Sequence, residues 1–229
     1  MSIQDNIARI RAEINRAAVE SGRTGTDITL VAATKTQSAE AIRSAVLAGV
    51  DACGENRVQE LTEKLEAGAY LGAQLHFIGH LQKNKIRKVV GSADLIQSVD
   101  SLSLLSAIDR VAGELGLTQN VLIQVNIGRD EDKFGLDAPS ITAFLDQAAL
   151  HAHIRVCGLM TMLPFEIDRV ETRHLFAQMH QIFVDIKDKK SYDNIDMEFL
   201  SMGMSADFAD AILEGANMIR IGSTIFGSR

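Results

Sequence analysis

The order of apolar and polar residues predicts one amphipathic helix followed by a regular alternation of strands and helices. Residues 2–20 begin with Ser2 as a helix N-cap and carry a row of apolar side chains on one face: Ile3, Ile7, Ile10, Ile14 and Ala18. Eight short apolar runs of strand length follow, at residues 28–35, 50–55, 74–79, 95–100, 121–127, 154–162, 197–201 and 218–226. Stretches compatible with helices separate them, at residues 39–48, 57–67, 83–90, 102–115, 140–151, 168–189 and 206–214.

This alternation predicts an α/β fold, a single (β/α)8 TIM-type barrel with an extra N-terminal helix. Strands that are almost continuously apolar are typical of a parallel sheet covered on both faces. Eight repeats match the closed barrel, whose usual length is about 250 residues. The chain has 229 residues and no linker-like segment, which predicts one domain over residues 1–229. No helix is predicted after the eighth strand, so the helix of residues 2–20 is expected to cover that part of the barrel wall.

Charge and composition exclude several functional classes. A net charge of −7 and a pI near 5.4 disfavour a nucleic-acid surface, and the basic run 82–88 is interpreted as a solvated helix face. No apolar run reaches the roughly 18 residues of a membrane span, and residues 2–20 do not resemble a leader peptide, so a cytoplasmic location is expected. Cys53 and Cys157 are predicted to be buried and reduced.

The C-terminal residues 197–229 predict a binding site for an anion. Glycines there let backbone amides approach an anion closely, and hydroxyls donate hydrogen bonds to it: Gly203, Gly222, Ser201, Ser205, Ser223 and Thr224. Ser205 is expected to start a helix, whose N-terminus favours negative charge. The segment therefore predicts a phosphate cradle across the seventh and eighth strands.

Lys35 is the residue for which the sequence indicates chemistry most directly. It follows the first predicted strand, in LVAATKT, at the barrel end where this fold collects its active-site residues. An amine beside an apolar core loses hydration, which favours the neutral form that attacks an aldehyde to make an imine. The alternative is a lysine whose stem lines the rim while its ammonium reaches water. An aldehyde-reactive amine facing a phosphate cradle is the geometry that pyridoxal 5′-phosphate (PLP) needs.

Arg220 lies inside the predicted eighth strand, in MIRIGS, and adds a second constraint. It points either into a polar site or toward a carboxylate between the barrel wall and a helix. If it faces a cofactor ring, its guanidinium only donates hydrogen bonds, and the pyridine nitrogen stays unprotonated. An unprotonated ring is a poor electron sink, which disfavours most carbanion chemistry.

The histidines give little support to a metal centre. His76 and His80 are four residues apart on a strand leading into a loop, and His151 and His153 lack carboxylates at ligand spacing. HExxH, a nucleophile elbow, GxGxxG and a Walker-type loop are all absent from the sequence. We predict no metal ligand and no catalytic residue, and we expect His80 to border the ligand.

Several segments carry a family signature in a fixed order: VAATKT, GENRVQE, HFIGHLQKNK, IQSVD, QVNIGRDEDKFGL, GLMTM, LSMGMSADFADAI and RIGSTIFGSR. Together they resemble the pyridoxal-phosphate homeostasis proteins, the YggS/PROSC family, over about residues 3–229. This resemblance implies a barrel related to the N-terminal domain of bacterial alanine racemases that binds PLP as a lysine imine.

The same resemblance assigns roles to single residues. It implies Lys35 as the imine lysine and Arg220 as the partner of the pyridine nitrogen. It places Ser201, Ser205, Gly222 and Ser223 around the phosphate, and Asn56 and His80 near the ring. Two departures are small, because each keeps size or hydroxyl chemistry: Ala33-Thr34 stand where the family tends to have Val-Ser, and Ser223 where it has threonine.

PLP homeostasis without catalytic turnover is the function we expect. Racemisation needs two acid/base groups on opposite faces of the substrate carbon. The resemblance implies that the related racemases take the second group from a tyrosine of another domain and subunit, and we expect this chain to end with its barrel. Tyr70 and Tyr192 are predicted at the opposite end of the barrel.

Two other functions stay open. One is a weak amino-acid racemase or transaminase-like enzyme, and the other is a lysine-imine aldolase or other phosphate-substrate barrel without a cofactor. The expected partners are PLP, other B6 vitamers and apo PLP-dependent enzymes. Since the acidic chain completes its barrel in one copy, a monomer is expected.

Overall fold

Eight parallel strands form a closed barrel in the computed structural model, which describes residues 2–164, 166–189 and 192–227. The strands follow the sequence order around the barrel, and the last pairs with the first. They are β1 Thr29–Ala33, β2 Ala52–Glu55, β3 Gln74–Phe77, β4 Leu95–Val99, β5 Gln119–Val125, β6 Ile154–Thr161, β7 Ile195–Ser201 and β8 Met218–Ile221. The predicted (β/α)8 barrel is therefore confirmed.

Helices surround the barrel, and those between α1 and α8 connect its strands. They are α1 Ile3–Glu20, α2 Ala39–Leu47, α3 Val58–Glu66, α4 Leu102–Leu115, α5 Ile141–Ala148, α6 Arg169–Lys189, α7 Phe208–Leu213 and α8 Ser223–Phe226. Short 3₁₀ segments cover Gly25–Asp27, Lys83–Lys88 and Ala138–Ser140. The helix predicted over residues 83–90 is thus a 3₁₀ segment rather than an α-helix.

The eighth strand is shorter than the sequence predicts. It ends at Ile221, and the chain then turns into the four-residue helix α8, where the amides of Ile225 and Phe226 both donate to the Gly222 carbonyl at 3.0 Å. The apolar run 218–226 predicted a strand throughout, because periodicity does not separate strand from helix in such a short apolar stretch. A short helix therefore does follow the last strand.

The core has two layers. Most apolar side chains lie between the barrel wall and the helices, and a smaller cluster fills the bore of the barrel: Val31, Ala52, Leu95, Leu122, Cys157, Met160 and Met218. Cys157 in the bore and Cys53 in the outer layer are both buried and free, as predicted. Burial raises the pKa of the Cys157 thiol to about 11 and that of Cys53 to about 12, which keeps both thiols protonated.

The N-terminal helix covers the wall beside β8. α1 packs against α2, α7 and α8, and the Asn6 amide donates to the Ile225 carbonyl at 2.9 Å. Its buried face contains Ile7, Ile10 and Ile14. This confirms the expected position of the helix, which closes the outer layer where α8 is too short to do so. Within the described ranges, no helix is long and apolar enough to cross a membrane.

Ile14→Ala should lower the free energy of unfolding by about 2–5 kcal/mol, because Ile14 is fully buried against the barrel and its loss leaves a cavity. Val19→Ala in the same helix is the matched control, since Val19 is 62% exposed. Urea unfolding measures both. Equal effects of the two substitutions would contradict the docking of α1.

Candidate binding site at the mouth of the barrel

A cavity of about 580 Å³ opens at the carboxyl end of the barrel, bordered by the segments that follow β1, β6, β7 and β8. Five of the predicted site residues line it: Lys35, Ser205, Arg220, Gly222 and Ser223. The other three, Asn56, His80 and Ser201, are not part of its lining. A larger cavity, of about 860 Å³, lies at the amino end, where Arg11 and Asp51 pair with each other at 2.8 Å. Because active sites of this fold form at the carboxyl end, the smaller cavity is the candidate site.

The backbone on both sides of Lys35 is anchored. Lys35 is exposed and lies two residues beyond the end of β1. Thr34 before it is buried, and its hydroxyl donates to Glu55 Oε1 at 2.6 Å. Thr36 after it has a φ of 64°, a left-handed conformation that is rare for a β-branched residue, and its amide donates to Glu60 Oε2 at 2.6 Å. Lys35 is therefore held on a fixed turn.

A buried ion pair supplies these anchors from outside the barrel wall. Lys64 on α3 donates to Glu55 Oε1 at 2.7 Å, to Glu60 Oε2 at 3.0 Å and to the Thr34 carbonyl at 2.8 Å. The Glu55 side chain has no exposed surface, so Lys64 compensates a carboxylate that water does not reach. Desolvation opposes ionisation of Glu60, but the hydrogen bonds from Thr36 and Lys64 hold its pKa below the usual value.

Tyr70 belongs to the same buried cluster. Its hydroxyl donates to Glu55 Oε1 at 3.1 Å, and burial first, then the negative Glu55, raise its pKa so that it stays protonated. The prediction placed Tyr70 at the amino end of the barrel. Its loop does precede β3, but its hydroxyl reaches the carboxyl end of β2 along the outer face of the wall, so that part of the prediction is wrong. Tyr192 forms a hydrogen bond with Asp146 of α5.

Arg220 points from β8 into the top of the bore. It is 4% exposed, and its two terminal nitrogens donate to Ser201 Oγ at 2.6 Å and to the Thr161 carbonyl at 2.8 Å. No carboxylate oxygen of the described residues lies within ion-pair distance of it, so the alternative of a salt bridge to a helix is not observed. Burial lowers its pKa to about 10, and the negative Asp207 acts in the opposite direction. The guanidinium thus remains a charged, donor-only group beside the cavity.

Ser201 faces Arg220 rather than the cavity. It is fully buried, accepts from Arg220 and donates its hydroxyl hydrogen to Gln97 Oε1 at 2.7 Å. The single hydroxyl hydrogen of Ser201 is therefore used inside the protein, and Ser201 has no hydrogen left to donate to a phosphate. Gln97 was not singled out from the sequence. Its signal is a polar residue in the middle of the apolar strand LIQSV.

The turn after β7 forms one wall of the cavity. Ser205 lies in this turn, but α7 begins only at Phe208 with Asp207 as its N-cap, so the prediction that Ser205 starts the helix is wrong. The Met204 amide donates to Asp207 Oδ1 at 2.6 Å, and the helix begins two residues later than the sequence predicts. Gly203 is required here: its φ is 93°, and a Cβ would lie 2.6 Å from the Cβ of Ala211.

Asp207 is a carboxylate in the cavity wall that the sequence analysis did not single out. Burial raises its pKa, while the Met204 amide and Arg220 act in the opposite direction. Its signal in the sequence is an acidic residue among the hydroxyls of the predicted phosphate cradle. It adds negative charge to a site that otherwise presents Lys35, Arg220 and hydroxyls.

Asn56 and His80 lie on the other half of the barrel mouth. Asn56 Oδ1 is buried and has no hydrogen-bond partner among the described residues. The segments after β2 and β3 touch there, since a Cβ on Gly79 would lie 2.1 Å from the Asn56 carbonyl oxygen. His80 stacks on Phe134 with ring centroids 3.8 Å apart, and its Nδ1 is 3.6 Å from Asp100 Oδ2. In this structure both residues lie outside the lining of the candidate cavity.

Comparisons with known proteins identify the family to which this barrel belongs. The family model of the alanine racemase N-terminal domain matches residues 3–229. A protein of Aquifex aeolicus, named pyridoxal phosphate homeostasis protein, is 35% identical over 100% of this chain and 99% of its own length. A protein of Synechocystis with the same name is 38% identical over 88% of this chain and 92% of its own. The solved structure of PipY from Synechococcus elongatus with PLP bound superposes with a TM-score of 0.86, at 35% identity, covering 99% of this chain and 100% of that one.

Barrel, site and sequence thus define a protein of the alanine racemase N-terminal domain type. Within this type, the chain belongs to the pyridoxal phosphate homeostasis protein family.

Lys64→Met should lower the free energy of unfolding by about 3–5 kcal/mol, because it leaves the buried Glu55 carboxylate unpaired. Lys83→Met is the control, since Lys83 is exposed. The double variant Glu55→Gln/Lys64→Met should lose less than Lys64→Met alone, because the fully buried carboxylate is gone and Glu60 keeps its hydrogen bond from the Thr36 amide. Chemical denaturation measures all three, and a Lys64→Met protein as stable as Lys83→Met would contradict the anchoring role of this ion pair.

Proposed function

We propose that this protein binds PLP reversibly as an imine on Lys35 and serves PLP homeostasis without catalytic turnover of its own. One observation carries the proposal: Lys35, Arg220 and the turn at Gly222 and Ser223 line the same cavity at the carboxyl end of the barrel. The names of the relatives and the PLP-bound PipY structure support it.

The residues of the cavity fit the chemistry of PLP. Lys35 supplies an amine for the aldehyde, and Ser205, Ser223 and nearby backbone amides supply donors for the phosphate. Arg220 supplies a donor for the ring nitrogen, which such a partner leaves unprotonated. When bound, PLP supplies an electron sink, and an unprotonated ring weakens it. The fixed turn around Lys35 holds the amine at the mouth, where the cofactor can enter and leave.

The absence of turnover is the second part of the proposal. Among the described residues that line the cavity, Asp207 is the one proton-transfer group besides Lys35 and the guanidinium of Arg220. Tyr70 and Tyr192 are engaged with carboxylates elsewhere. Two-base racemisation needs a second group on the opposite face of the substrate carbon.

A weak racemase-like activity is the second candidate function, and the raised pKa of Asp207 favours it. Exchange of the α-deuterium of free amino acids separates the two functions. We expect none in the native protein, and exchange that Asp207→Asn abolishes would establish the enzyme instead.

The remaining parts of the proposal concern the setting of the site. We propose that residues 1–229 act as one cytoplasmic domain and as a monomer, and the fact that the described lining residues come from one barrel supports this proposal. Other B6 vitamers and apo PLP-dependent enzymes are the proposed partners.

Borohydride reduction of the PLP-treated protein should give one pyridoxyl adduct, because reduction fixes an imine covalently. Lys35→Ala should give none, and Lys83→Ala, which alters an exposed lysine outside the cavity, should keep the adduct. Intact-protein mass spectrometry measures all three. An adduct that persists in Lys35→Ala would contradict the assignment of the amine. A native protein without an adduct would favour the aldolase-like alternative.

A further inference from the structure

A chain of buried polar side chains continues from Arg220 down the bore of the barrel. Arg220 donates to Ser201 Oγ at 2.6 Å, and Ser201 donates to Gln97 Oε1 at 2.7 Å. Gln97 Nε2 lies 2.9 Å from His76 Nδ1, and His76 Nε2 lies 3.2 Å from Gln74 Oε1. Gln74 borders the cavity at the amino end. This row of hydrogen-bonded side chains therefore connects the two ends of the barrel through its centre.

The hydrogen bonds of this network run in one direction away from Arg220. A guanidinium only donates, so the Ser201 oxygen accepts from Arg220, and the Ser201 hydroxyl donates its hydrogen to Gln97 Oε1, 2.7 Å away. The Gln97 amide group is then fixed, and one of its hydrogens goes to His76 Nδ1. Its other hydrogen points to Met218 Sδ at 3.2 Å, so Gln97 is fully satisfied.

These hydrogen-bond directions determine which ring nitrogen of His76 carries the proton. Nδ1 accepts, so the hydrogen is on Nε2, from which it is donated to Gln74. A protonated His76 would direct a second donor at the Gln97 amide and place a second cation in the bore with Arg220. Burial lowers the pKa of His76 to about 4, against the opposite effect of Asp94, in agreement with a neutral ring.

This network of polar side chains lies in a bore that is otherwise apolar. Its neighbours in the bore are apolar, among them Val31, Leu95 and Leu122. Polar side chains in such a place cost free energy unless each is hydrogen-bonded, and apolar replacement of a whole buried network is often neutral or stabilising. His76, Gln97 and Ser201 are all at most 1% exposed, and their hydrogen bonds end on the guanidinium that borders the cavity.

We propose that Gln97 and His76 are positioning residues that hold Arg220 in the orientation in which it recognises the ring nitrogen of the bound cofactor. The proposal rests on the function proposed above. Ser201 transmits the orientation, since its hydroxyl stands between Gln97 and Arg220. The Thr161 carbonyl fixes the other terminal nitrogen of the guanidinium. Without Gln97, Ser201 is free to rotate and Arg220 loses one of two fixed acceptors.

The test compares PLP with its deaza analogue, in which C–H replaces the ring nitrogen while the aldehyde and phosphate are unchanged. Gln97→Met removes the hydrogen bonds of Gln97 at similar volume. It should weaken PLP binding about tenfold and change binding of the analogue less than about twofold. Gln119→Met is the matched control, because Gln119 is also buried but bonds to Gly91 and Ala93 at the amino end of the barrel. It should change neither affinity.

A merely structural role of Gln97 would weaken both ligands equally, and that result would overturn the proposal. A native protein that binds neither ligand through Lys35 would instead refute the proposed function itself. A second readout needs no ligand: ¹⁵N NMR of the native protein at pH 6 should show a neutral His76 with its proton on Nε2, and Gln97→Met should shift the Nδ1 resonance. A cationic His76, or a proton on Nδ1, would overturn the order of the chain.

Discussion

The parallel pairing of β1 with β8 is the constraint on which the candidate site depends. Its register places Val31 opposite Arg220 and Ala32 opposite Ile221. Lys35 emerges just beyond β1, and Gly222 just beyond β8, so residues from the two ends of the chain meet at one edge. Neither segment alone contains a site. Closure of the barrel brings the amine, the guanidinium and the hydroxyl-rich turn into one cavity.

Two charged groups of this cavity are supported in different ways. Lys35 stands on a turn that is held from outside the wall by the ion pair of Lys64 with Glu55 and Glu60. Arg220 is held from inside the bore by neutral acceptors. An ion pair suits the outer position because two opposite charges compensate each other there. In the bore, a carboxylate paired with Arg220 would cancel the charge that faces the cavity.

Much of the fold was predictable because parallel barrels have strong periodic signals. Alternating apolar runs and helical stretches predicted the number and order of the strands, and the end of β1 placed Lys35 at the mouth. The errors fall where local signals are ambiguous or where long-range contacts decide. Residues 218–226 were predicted as one strand because α8 is short and apolar. The N-cap of α7 is Asp207 rather than the predicted Ser205, and the Asp207 side chain accepts from the Met204 amide in the preceding turn. The partners of Ser201 and the role of Gln97 depend on contacts across the bore, which strand periodicity does not encode.

A crystal structure of the protein grown with PLP tests the central claim most directly, because that claim places one small molecule across both halves of the cavity. We predict continuous density from Lys35 Nζ to the turn at Gly222 and Ser223, with the Arg220 guanidinium facing the ring nitrogen. Density attached to another lysine, or a phosphate bound outside this cavity, would contradict it.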